Sequence, residues 1–256
     1  MDMRLVEETK RQSALLSVTC VCGVVVSASY ALWVLMQRVS LESIRNSRKK
    51  QERLMDLVGN TPLLLIQSVS NETGCKIYGK CEFLNPCGSS KDRICKAILN
   101  DALNRGFITK GGTMIEASSG STGISLTRLA RSVGLNSLII LPSDIAEEKQ
   151  QLIRTLGGQI ELVLPSSIVN PTHFVNVAQK RAKEIPNSMF MNQFENDLNL
   201  ECHYLTTGPE VWSQCSNLDV FVTSAGTCGT LGGVSKFLKS RNPSILSVLA
   251  DCQVSF

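Results

Sequence analysis

GTMIEASSGSTGISLTRLARSVGLNSLIILP, residues 112–142, decides the fold. Residues 112–117 predict a strand, 124–133 a helix closed by Gly134, and 137–141 a buried strand stopped by Pro142. The same alternation runs outward in both directions. Upstream, residues 76–81 read as a strand. Residues 90–105 read as a helix with Ile94, Ala97, Ile98 and Ala102 on its apolar side and Gly106 closing it. Downstream come a helix at 146–156, a strand at 159–164, a helix at 174–184 and a strand edge at 188–192. A strand at 219–223, a helix at 231–240 and a strand at 245–250 follow. Strand and helix in alternation predict an α/β fold with mainly parallel strands.

The chain has 256 residues, 43% of them hydrophobic and 19% charged, so a packed core is expected and wholesale disorder is excluded. The net charge of +4 is local: residues 38–53 hold six basic and two acidic side chains, while residues 54–256 carry seventeen of each sign. The folded part has no excess positive field, which argues against a nucleic-acid binder. Ten cysteines are scattered without a C-x-x-C pair, and His173 and His203 stand thirty residues apart. No clustered thiolate or imidazole set suggests a metal, and reduced cysteines in a cytosolic domain are expected.

Residues 14–36, ALLSVTCVCGVVVSASYALWVLM, run for 23 positions without a charge. A helix of that length crosses a hydrocarbon layer of roughly 30 Å. A membrane anchor is expected; a signal peptide, for which Ser27-Ala28-Ser29 could mimic a cleavage site, and a buried helix are the alternatives. Arg38, Arg45, Arg48, Lys49, Lys50 and Arg53 follow the run and favour a cytosolic C-terminal side. A moderately apolar anchor with basic flanks suits the mitochondrial outer membrane, with the endoplasmic reticulum second.

Three loops carry chemistry. NPCGSSKDR (85–93) places Lys91 at the start of a helix, where a lysine faces the positive end of the dipole; a neutral amine is what Schiff-base formation requires. EASSGSTG (116–123) joins a strand to a helix and can gather N–H groups and hydroxyls around a carboxylate. SAGTCGT (224–230) repeats that arrangement, with glycines that admit a phosphate and with Thr227 and Thr230 as donors. It lacks the lysine of a P-loop and fails G-x-G-x-x-G. Taken singly, each is also compatible with a capped or glycine-rich turn without a ligand. Together, an amine, a carboxylate cradle and a phosphate cup are what pyridoxal 5'-phosphate asks for.

On these residues the sequence resembles the cysteine synthase and cystathionine β-synthase family, the fold type II pyridoxal-phosphate enzymes. The matching text is VGNTPLL (58–64), NPCGSSKDR (85–93), SSGSTG (118–123), QFEN (193–196), HYLTTGPEVW (203–212) and GTCGT (226–230), in the family's order. Within the family it most resembles the membrane-anchored, mitochondrial cysteine-synthase-like proteins of fungi. The resemblance implies two open sheets: a smaller subdomain at about 85–198 and a larger one from 54–84 plus 199–256, behind an anchor and basic linker at 1–53.

The resemblance also implies roles. Lys91 is the expected Schiff-base lysine and α-proton base. Gly226, Thr227, Cys228, Gly229 and Thr230 are the expected phosphate site, and Ser118, Ser119, Thr122 and Gln193 the expected substrate-carboxylate site. Ser121 stands where most members have an asparagine bonded to the cofactor's ring oxygen. Cys228 replaces a usual glycine, and its side chain is expected to point away from the phosphate. The implied reaction converts O-acetylserine and sulfide to cysteine and acetate in a homodimer. Cystathionine synthesis, serine/threonine deamination, and an inactive anchored remnant are the alternatives. Family members continue for roughly a third of the domain beyond VLADCQ. The second sheet is therefore expected to be incomplete, without the hydroxyl that bonds the pyridine nitrogen, and cofactor binding and turnover by this chain are expected to be weak.

Overall fold

The computed structural model describes residues 53–251. A four-stranded sheet, in the order β5-β4-β3-β6, is parallel throughout: β3 (Thr113–Ala117), β4 (Asn136–Pro142), β5 (Gln159–Val163) and β6 (Ser188–Phe190). Side chains alternate across it. Met114, Ile139 and Leu141 pack with Ile94, Ile98 and Leu99 of α2 (Lys91–Asn104) and with Leu126 and Leu129 of α3 (Ser121–Ser132). Ile153 of α4 (Glu147–Thr155) joins that core. Ile115, Leu138 and Ile140 face the other way, onto α5 (Phe174–Glu184). Covering on both faces explains why Leu138–Leu141 of β4 read as a continuous apolar run and why β3 is buried from Met114 to Ala117.

A second, two-stranded parallel sheet pairs β7 (Val220–Thr223) with β8 (Leu246–Leu249). α8 (Gly229–Arg241) packs there through Val234, Phe237 and Leu238. β1 (Leu63–Leu65) and β2 (Tyr78–Lys80) form an antiparallel pair, flanking α1 (Gln67–Thr73). The strand expected at 76–81 is therefore real but shorter, and its antiparallel partner was not anticipated.

The expected helices and strands are found within a few residues. α3 starts at Ser121 rather than at 124 because Ser118 Oγ accepts from the N–H groups of Gly120 and Gly123, both at 3.1 Å, and so caps an earlier turn. On α2 the buried side includes Cys95 and Leu99. The main omission is the helical stretch 198–214: α6 (Leu198–Cys202), a π turn (His203–Thr207) and α7 (Gly208–Gln214). Gly208-Pro209 reads as a breaker. Here Pro209 sits in the first turn of α7, where a helix tolerates its missing N–H.

The anchor expected at 14–36 lies outside the described residues. Among the described residues, no helix is long and apolar enough to cross a membrane.

Candidate active site

Both glycine- and serine-rich loops leave the carboxyl ends of parallel strands, where open α/β sheets bind ligands. Ser118 follows β3 and Ser224 follows β7. Lys91 is the first residue of α2, behind a turn that its neighbours fix firmly. Gly88 takes φ +82°, and its N–H donates to Asn85 O at 2.8 Å. Asp92 is fully buried; its carboxylate accepts from the Cys87 N–H at 2.6 Å and from Ser125 Oγ at 2.5 Å. Burial, then the Asp92 charge, pushes the Cys87 thiol up to about 12, so the turn carries no thiolate beside the lysine.

Arg93 is buried as well. Its guanidinium reaches Glu82 and Glu210, with shortest contacts of 2.7 Å to each, and Lys80 Nζ adds a contact of 2.7 Å to Glu210. Burial would raise the Glu210 carboxyl, but the hydrogen bonds from Arg93 and Lys80 hold it at about 2. This network ties the start of α2 to α7 and to β2. Two charged residues buried directly after Lys91 leave the lysine itself half-buried at the wall of the site.

Lys91 lines two neighbouring cavities. One, about 440 Å³, is bounded by Ser118, Ser119, Gly120, Ser121, Thr122 and Gln193, together with Gly226 and Thr227. The other, about 340 Å³, is bounded by Gly226, Thr227, Cys228, Gly229 and Thr230. The structure thus brings every expected site residue onto these two cavities. Within the first, Thr122 Oγ1 donates to Gln193 Oε1 at 2.7 Å, and Gln193 Nε2 donates to Ala117 O at 2.9 Å. Ser118 and Thr122 are buried and engaged within the protein, whereas Ser119 and Ser121 are exposed. Lys149, unforeseen in the sequence, lines the same cavity.

At the second cavity Cys228 takes φ +63°, a conformation that glycine adopts without steric cost, and α8 begins at the next residue. No atom lies within 4 Å of the place a Cβ would take on Gly226. The donor set here is hydroxyls and the amino end of a 13-residue helix, which suits a phosphate ester. Asn199 and His203 stand behind the turn, and sequence reasoning did not find either one. Burial, reinforced by the charges of Arg93 and Lys91, brings His203 down to about 4. Among the described residues, no group of three or more His, Cys, Asp or Glu side chains could hold a metal ion.

The sequence profile of the family described as pyridoxal-phosphate dependent enzyme matches residues 54–255. The chain belongs to this family. A cysteine synthase of Dictyostelium discoideum is 43% identical over 199 residues, covering 77% of this chain and 53% of the relative. A Saccharomyces cerevisiae relative, whose name describes a mitochondrial cysteine synthase, is 42% identical over 206 residues, covering 77% and 52%. The crystal structure of an O-ureido-L-serine synthase superposes with a TM-score of 0.72 at 30% identity, covering 77% of this chain and 62% of that one. The fold is that of the type II pyridoxal-phosphate enzymes, as the motifs implied. The chain spans about half the length of the curated relatives it matches.

Proposed function

We propose that this chain carries out a cysteine-synthase-type β-replacement, taking O-acetylserine and sulfide to cysteine and acetate. The observation that carries this reading is that Lys91 borders both the serine-rich cavity and the glycine-rich one. Bound pyridoxal phosphate supplies an aldehyde for an amine and a ring that accepts the electron pair left at Cα on proton loss. The residues present fit it. Lys91 Nζ is the amine, and it holds and returns the α-proton. The turn of Gly226, Thr227, Cys228, Gly229 and Thr230 takes the phosphate, with Gly226 open toward the cavity. Ser121, exposed on the same cavity as Ser118 and Thr122, is the side chain that would meet the ring. The loop of Ser118, Ser119 and Thr122, with Gln193, orients the substrate carboxylate through its backbone N–H groups and the exposed Ser119 hydroxyl, and the Thr122–Gln193 bond keeps the loop in place.

The proposal extends to the chain's setting. Residues 1–53 serve as anchor and basic linker, with 14–36 spanning the mitochondrial outer membrane and residues 54–256 facing the cytosol; the uncharged run and its basic flank support this. Two subdomains, about 85–198 and 54–84 plus 199–256, meet at the site, and the protein pairs as a homodimer.

The test uses the purified full chain. Added pyridoxal phosphate, followed by borohydride, is expected to leave a pyridoxyl mass on Lys91, and O-acetylserine with sulfide to yield cysteine. Lys91→Ala should lose both. A pyridoxyl mass on other lysines with none on Lys91 would sink the reading.

A further inference from the structure

This inference rests on the proposed function, and specifically on the turn at 226–230 being the phosphate site. Two of its hydroxyls are each met from behind by a buried side chain. Asn199 Nδ2 donates to Thr227 Oγ1 at 2.7 Å and to the carbonyl of Gln193 at 2.9 Å. Thr230 Oγ1 lies 3.1 Å from His203 Nε2, and His203 Nδ1 lies 2.9 Å from Thr207 Oγ1. Asn199 and His203 are four residues apart on one helical stretch and are 6% and 3% exposed. α8 comes close enough for these bonds because it presents glycines: a methyl group on Gly229 would overlap Asn199 Oδ1, and one on Gly233 would stand 2.7 Å from His203 Cβ.

A threonine hydroxyl has one proton, and an anionic phosphate needs that proton directed at it. At Thr227 the matter is decided by Asn199. Turning its amide over would set an oxygen against the Gln193 carbonyl, so Nδ2 faces Thr227 Oγ1, which must accept. At Thr230 the imidazole tautomer decides, because a neutral ring donates at one nitrogen and accepts at the other. We propose that His203 carries its proton on Nε2 while Nδ1 accepts from Thr207, so that Asn199, His203 and Thr207 act as positioning residues that leave both Thr227 and Thr230 presenting O–H to the phosphate. Thr207 is the end of the relay: its O–H points at the Nδ1 lone pair, which leaves the ring proton on Nε2. The cup then binds an anion through hydroxyls backed by neutral donors and through the amino end of α8.

Two measurements on the full chain test this. The chain has only two histidines, so nitrogen-15 spectra of histidine-labelled protein, with His173→Gln for assignment, read the His203 tautomer directly and without cofactor. An Nε2–H ring at neutral pH is expected; an Nδ1–H ring overturns the proposal. The second measurement compares dissociation constants for pyridoxal phosphate and for pyridoxal, which shares the aldehyde and lacks the phosphate. Thr207→Val and Asn199→Ala, each checked by thermal melting, should lower the preference for the phosphorylated form roughly tenfold or more while changing pyridoxal binding less than about twofold. An unchanged preference in either variant that folds, or equal losses for both ligands, overturns the proposal. Failure of the site itself looks different: the wild-type chain would then give no trapped adduct on Lys91 with either ligand, whatever the tautomer.

Discussion

The guanidinium of Arg93 holds both carboxylate oxygens of Glu210, with Nη1–Oε1 at 2.7 Å and Nη2–Oε2 at 2.8 Å. The same guanidinium holds Glu82 at 2.7 and 2.8 Å. Among the described residues, removing it leaves Glu82 with hydrogen bonds from Thr61 and Asn85 but no cation, and Glu210 with Lys80 and the Asn60 N–H. Arg93→Leu is expected to cost about 3–5 kcal/mol of stability, measured by urea denaturation. Arg93→Lys keeps the charge but cannot fork to two carboxylates, so it should recover only part of the loss. A loss under about 1 kcal/mol in the leucine variant would show that the network contributes little.

Two buried groups titrate in opposite senses. Glu116 lies on the face of β3 shared with Met114, fully buried, with neither oxygen in a well-formed hydrogen bond. Burial lifts its pKa from 4.5 to about 8, against the lowering effect of the Gln193 and Asn192 amides. A carboxyl raised in the folded state gives stability that is complete below pH 4.5 and declines as pH rises to about 8. Glu116→Gln removes this decline, so the variant should gain on the wild type between pH 5 and 8, by up to about 1.4 kcal/mol per pH unit. Parallel stability curves would refute it. His203 works the other way: its pKa falls from 6.5 to about 4, so the unfolded chain takes up a proton first and stability is lost as pH falls through that window. His203→Gln should flatten the slope between pH 6.5 and 4.

Helix α8 approaches α6 and the π turn only because it presents glycines. Gly229→Ala places a methyl group on Asn199 Oδ1, and Gly233→Ala places one against the Leu200 carbonyl and His203 Cβ. Each is expected to destabilise by about 1–3 kcal/mol, as overpacking does. Gly226→Ala meets no atom within 4 Å and should be neutral in the same denaturation assay. A neutral Gly229→Ala would show that the two segments separate readily.

Cysteine chemistry offers an independent probe of the phosphate site. Cys228 and Cys75 are exposed, whereas Cys81, Cys95 and Cys202 are buried. Brief alkylation with peptide mapping should label Cys228 and Cys75 well before the buried three. Pyridoxal phosphate should slow labelling at Cys228 and leave Cys75 unchanged. Equal slowing at both positions would mean that the ligand acts elsewhere.

Much of the fold was legible because it is written locally. The strand–helix–strand pattern from 112 to 142 depends on hydrophobic period and on glycine stops, which lie within a few residues of each other. The three chemical loops were legible for the same reason, as each is one strand-to-helix turn or one helix start. What holds the site was not. Arg93 and Glu210 are 117 residues apart, and nothing in either neighbourhood announces the other. The stretch 198–214 carries in its middle Gly208-Pro209, a pair that ordinarily ends a helix, and here Pro209 falls in the first turn of α7. His203 opens one of the matching stretches, but its contacts with Thr207 and Thr230 follow from packing that local pattern does not encode.

Lys91, Asp92 and Arg93 occupy consecutive positions, and each serves a different neighbour: the two cavities, the turn with Ser125, and the distant carboxylates. One residue along a helix is a rotation of about 100°. A single inserted or deleted residue at 90–93 would therefore swing all three onto the wrong partners at once. Length variation in this protein belongs in places such as the exposed connection at 165–172, and the nucleophile turn can change its letters far more easily than its count.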